Sequence, residues 1–96
     1  MSRITESEIA EVVVAILEDT LTGEATIAEL VAEIPNRVAL SQEDLAPSLT
    51  RRSEAIWEQQ VRNITSHKGS PGNAIYDGKL VAIPGGLKLP IKAKSA

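Results

Sequence analysis

Residues 53–66, SEAIWEQQVRNITS, are the stretch on which the reading of this chain turns. Trp57, Val61 and Ile64 stand at i, i+4 and i+7, the spacing of one buried helix face, with Ile56 at its margin. At about 100° per residue, Gln59, Arg62, Asn63 and Ser66 gather on the opposite side, a grouping without an acid. Ser53 is placed to cap this helix, which runs to about Ser66 or His67. Arg pairs with guanine O6 and N7, and Asn and Gln pair with adenine N6 and N7. A helix with this polar face is a candidate for the major groove of DNA, against the plainer reading of a solvated surface. Glu58, at the edge of the face, would repel phosphate if it turned inward.

Upstream, Ile9, Val12, Val13, Ile16 and Leu17 make a second helical stripe. Thr5-Glu6-Ser7-Glu8 is a capping box for it, Ile4 and Ile9 are spaced as a hydrophobic staple, and Glu6 and Glu8 suit the positive end of the dipole. Thr20 to Gly23 ends this helix. Thr26-Ile27-Ala28-Glu29 is another capping box, opening a helix that turns Ile27, Leu30, Val31 and Ile34 inward until Pro35 stops it. Ser41 to Leu45 reads as a short third helix with a Ser-x-x-Asp start, ended by Pro47.

Downstream the pattern changes. Gly69-Ser70-Pro71-Gly72 cannot continue a helix. Ala74 to Ile83 predicts a β-hairpin turning at Asp77-Gly78, since Asp-Gly accepts the positive φ of a type I′ turn. Leu87-Lys88-Leu89, after Pro84-Gly85-Gly86, is a further short strand. The order of helix, helix, short helix, long polar helix and hairpin predicts an α+β fold, a winged helix-turn-helix. Residues 1–90 form one domain in this reading, and 91–96 a tail or a linker cut short.

TIAELVAEI, LSQEDLAPS, WEQQVRNITSHKG and PGGLKL, between Ala25 and Leu89, carry a resemblance to a family. They resemble the winged-helix domain at the N-terminus of bacterial Mrr-like restriction proteins and some HNH nucleases. The resemblance implies double-stranded DNA binding, as the specificity module of a restriction-type nuclease that reads modified DNA. N6-methyladenine is the first modified base to consider, and cleavage would belong to another domain. The tail favours an excised reader over a stand-alone one. Asp77-Gly78-Lys79 imitates the end of a nuclease motif, but no Pro-Asp precedes it, and turn chemistry accounts for it.

Charge supports this reading once the chain is divided. The net charge is −3, but residues 1–50 carry −8 and residues 51–96 carry +5. Arg51 and Arg52 before the helix, His67 and Lys68 after it, and Lys79 and Lys88 beyond suit phosphate contacts. With Gln59, Arg62, Asn63 and Ser66 they make the expected DNA-binding set. His67 can equally serve the negative end of the helix dipole. Trp57 belongs to the core. One histidine and no cysteine argue against a metal site, and no motif supports a catalytic site or a cofactor. The longest apolar run, Val12 to Leu17, is six residues, far short of a membrane span. No basic-then-apolar leader opens the sequence, so a cytoplasmic location is expected. The principal alternative is a winged helix that docks a protein partner through its acidic first half.

Overall fold

The computed structural model describes residues 3–49 and 53–90. It is a small α+β fold. Four α-helices are α1 (Glu6–Glu18), α2 (Ile27–Glu33), α3 (Gln42–Leu45) and α4 (Ile56–Ser66); three short strands are β1 (Glu24–Thr26), β2 (Val81–Ile83) and β3 (Gly86–Lys88). The strands form one antiparallel sheet in the order β1-β3-β2.

Local chemistry starts the first three helices as the sequence predicts. The Thr5 hydroxyl accepts from the Glu8 amide, and the Glu8 carboxylate accepts from the Thr5 amide. Thr26 and Glu29 repeat the exchange at α2, so two otherwise orphaned donors are satisfied at each start. Pro35 lies in a single 3-10 turn, Ile34–Asn36, directly after α2.

The third box is also complete, and it reaches further. Asp44 is 2% exposed; its Oδ2 accepts from the Ser41 amide and its Oδ1 from the Ile4 amide, 40 residues away in sequence. Burial pushes the Asp44 carboxyl up, but the Ser41 and Ile4 amides, the Ser41 side chain and the charge of Arg3 outweigh it and hold the pKa below its ordinary value. A depressed folded-state pKa means stability that is complete above the unfolded value and lost as pH falls through the folded one. Asp44→Asn, which turns an amide toward one of those donors, is expected to cost about 1–3 kcal/mol at pH 7. Thermal melts from pH 7 to pH 2 should show the gap between variant and parent closing in acid; a constant gap would remove the linkage.

The core lies where α1, α2, α4 and the sheet meet. Ile9, Val13, Leu17, Leu30, Ile34, Val61, Ile64 and Leu87 are fully buried, with Trp57 4% exposed among them. Trp57, Val61 and Ile64 thus occupy the inward face that their spacing predicts, while Ile27 and Val31 are half-buried at the rim.

The C-terminal third corrects the sequence reading. The hairpin is β2–β3 and turns at Pro84-Gly85, with Ile83 paired to Gly86. Proline followed by a glycine at φ 73° is the composition of a type II turn. Asp77-Gly78 turns nothing in the sheet. Residues 74–77 form one helical turn: Asn73 Oδ1 accepts from the Ile75 and Tyr76 amides, and Asp77 N–H donates to the Asn73 carbonyl. Gly78, at φ 83°, closes it, with Gly78 N–H bonded to the Ile75 carbonyl and Lys79 N–H to that of Ala74. That pair is a Schellman cap. The Asp-Gly signal of positive φ was sound, but it ends a helical turn because Asn73 starts one.

Two further corrections concern the ends of elements. Strand β1, unforeseen, exists through pairing with β3, where Ala25 faces Leu87 and Thr26 faces Gly86. The cap of α4 is Ala55 rather than Ser53, and Glu58 accepts from the Ala55 amide instead of facing a ligand.

Candidate nucleic-acid interface

Helix α4 is set in place by a short ladder. Ser48 N–H donates to the Glu54 carbonyl, Ile56 N–H donates to the Ala46 carbonyl, and Pro47 bridges Ala55. This tertiary pairing displaces the start of the helix from Ser53. The outward face of α4 then meets the tip of the hairpin. A groove of about 430 Å³ is lined by Gln59, Arg62, Asn63, Thr65 and Ser66 on one side and by Ile27, Ile83, Gly85 and Gly86 on the other.

Four residues expected to read bases are therefore together, though not equally available. Ser66 is exposed. Arg62 has 48% of its side chain exposed and pairs through Nε with Glu54 Oε2. Asn63 is half-buried and donates to Gln60 Oε1 at 3.2 Å. Gln59 is half-buried too, its Oε1 accepting from the buried Ser48 hydroxyl at 2.7 Å.

The expected phosphate contacts are scattered. Arg51 and Arg52 lie outside the described residues. Lys68 follows α4 and is exposed. Lys88 lies in β3, in register opposite Glu24 and Val81. Lys79 is a correction: it lies outside the hairpin, lining a 220 Å³ cleft against Glu6, Ser7, Ala10, Glu11 and Val14 of α1. Among the described residues, none of these three lysines forms an ion pair. Arg37 does: it bridges Glu33 at 3.0 Å and Asp19 at 2.9 Å, and its hydrogen bonds to these carboxylates raise its pKa. That cation is already neutralised by the acidic half.

His67 caps the C-terminus of α4, with Nδ1 2.7 Å from Glu6 Oε1. The other oxygen of Glu6 accepts from Asn73 Nδ2 at 2.9 Å, and the same amide donates to the Ile64 carbonyl at 2.9 Å. Asn73 is 5% exposed and joins the start of α1, the end of α4 and the following turn. No sequence signal gave it that role, because its partners lie 67 and 9 residues away.

Among the described residues no group of three or more His, Cys, Asp or Glu side chains could hold a metal ion, and no helix is long and apolar enough to cross a membrane. Comparison with known proteins finds no family model, no curated protein and no solved structure that matches the chain.

Proposed function

We propose that this chain is a winged helix that binds double-stranded DNA, with α4 in the major groove and the β2–β3 hairpin against the backbone. The observation that carries this reading is the groove where Gln59, Arg62, Asn63 and Ser66 meet Ile83, Gly85 and Gly86 of the hairpin. Element order supports it as well. Helix, strand, helix, short helix, long helix and a closing hairpin, with the first strand paired to the last, is an order compatible with a winged helix. Side chains of α4 supply base-edge chemistry, while Lys68 and Lys88 supply phosphate chemistry. The protein is then a reader without a catalytic site of its own, and cleavage would be a separate domain's task.

The resemblance to Mrr-like restriction proteins adds a modified base to this proposal. Ile27 and Ile83 give the groove an apolar wall beside Gln59 and Asn63, the amides suited to adenine. A methyl group on adenine N6 projects into the major groove and would meet that wall.

Fluorescence anisotropy with duplexes of equal sequence, plain and N6-methylated, at two salt concentrations tests both levels. Each phosphate neutralised is expected to add roughly −0.9 to the slope of log K against log salt. Tighter binding to the methylated duplex supports the modified-base version; equal binding removes it and leaves DNA binding standing. Affinity indifferent to salt would remove the phosphate contacts. Protein docking is favoured by Leu21 and Leu49, two large apolar side chains that are almost wholly exposed. Charge reversal at Arg62 separates it, because a partner held by the acidic half would stay bound.

A further inference from the structure

Glu54 has no place in the DNA-binding set, yet its position is unusual. Its side chain is only 15% exposed, and its backbone is fixed by the ladder to Ser48 ahead of α4. One carboxylate oxygen, Oε2, accepts from Arg62 Nε; the other, Oε1, is buried without a hydrogen-bond partner among the described residues. A buried charge with an orphaned oxygen is a poor device for stability, since desolvation is only half repaid. It is a good device for aiming a guanidinium. Arg carries five N–H donors in a rigid fork, and engaging Nε leaves the four Nη hydrogens uncommitted. Those are the donors that form the bidentate pair with guanine O6 and N7. Arg62 remains 48% exposed on the groove while its stem is tethered from behind.

We infer that Glu54 is a positioning residue that holds Arg62 ready to read one guanine in the major groove. This rests on the DNA-binding reading and adds to it a specific residue and a specific base. The preorganisation is physical: a long side chain restrained before binding loses less rotamer freedom on contact. Without Glu54, Arg62 keeps its charge and can still attract phosphate, but it no longer arrives as an oriented fork.

The test is selection of bound duplexes from a randomised pool, followed by affinity measurements on single base-pair changes in the selected site. The parent protein is expected to select a guanine whose replacement weakens binding by roughly tenfold or more. Arg62→Ala and Glu54→Ala should both lose that discrimination at the same base pair. Glu54→Ala should keep the parent's salt slope, whereas Arg62→Ala loses a cation. Glu54→Gln retains an acceptor for Nε and is expected to rescue the guanine preference. Glu54→Leu, which fills the buried space without an acceptor, is the second variant should the alanine form not fold. Retention of the guanine preference in Glu54→Ala and Glu54→Leu would overturn the inference while leaving DNA binding intact. Tighter binding of both variants to every duplex would also overturn it, making Glu54 a competitor for Arg62. A parent protein that binds duplexes but enriches none would overturn the inference and leave DNA binding standing, whereas one that retains no duplex at all would overturn both.

Discussion

Replacing Gly86 by alanine is expected to unfold the sheet. A Cβ built at Gly86 would sit 2.1 Å from the Ala25 carbonyl oxygen and 2.9 Å from Thr26 Cα. Both are backbone atoms, so no side chain can move aside. Relief requires β1 and β3 to separate where Thr26 faces Gly86, in a sheet whose strands are three residues long. The expected loss is about 3 kcal/mol or more, at the upper end for overpacking. For a domain of this size that is a fall in melting temperature of roughly 10–20 °C. Gly69→Ala is the control: its added Cβ meets nothing within 4 Å, and its φ is not positive. The two variants, melted side by side, should differ widely. Similar melting temperatures would mean that β1 is not seated against β3 as described.

Asn73→Ala is expected to produce the second large loss. Its amide group makes four hydrogen bonds, donating to Glu6 Oε2 and the Ile64 carbonyl and accepting from the Ile75 and Tyr76 amides. Truncation leaves these groups unpaired at a position 5% exposed. At ~1–3 kcal/mol for each buried group stranded, with some recovered by entering water, the expected cost is about 2–4 kcal/mol. Asn73→Asp separates chemistry from shape. It keeps the acceptor for the following turn but sets an oxygen against Glu6 and the Ile64 carbonyl, so it should destabilise at neutral pH and recover as the new carboxyl protonates. Chemical denaturation at pH 7 and pH 4 measures both effects. An aspartate variant as stable as the parent at pH 7 would contradict the assigned bonds.

These two positions mark the boundary of what the sequence discloses. The capping boxes at Thr5, Thr26 and Ser41 are legible because donor and acceptor lie three residues apart. The buried stripe of Trp57, Val61 and Ile64 is legible because helical spacing is local, and the face opposite follows from it. Gly86 is different: its need for a missing side chain depends on β1, a strand too short to alternate visibly and formed only by pairing across 60 residues. Asn73 depends on where α1 begins and α4 ends in space. The misplaced hairpin has a related cause, since Asp77-Gly78 and Pro84-Gly85 are both turn signals, and only the Asn73 cap decides between them. Of the expected interface, Gln59, Arg62, Asn63 and Ser66 come together because one helix carries them. Lys79 falls outside it, because Asp77-Gly78 ends a helical turn rather than a hairpin and leaves Lys79 against α1. Glu54 carries no local signal for its role, because its link to Arg62 spans eight residues and depends on the ladder before α4.

Contact of the α4 face and the hairpin tip with DNA is tested residue by residue by titrating the isotopically labelled protein with a short duplex. Amide shifts are expected to be confined to Gln59, Arg62, Asn63, Ser66, Lys68 and the Ile83–Gly86 turn, and to weaken as salt is raised. Shifts along the acidic face of α1 with α4 unmoved, or no shifts at any duplex concentration, would contradict it.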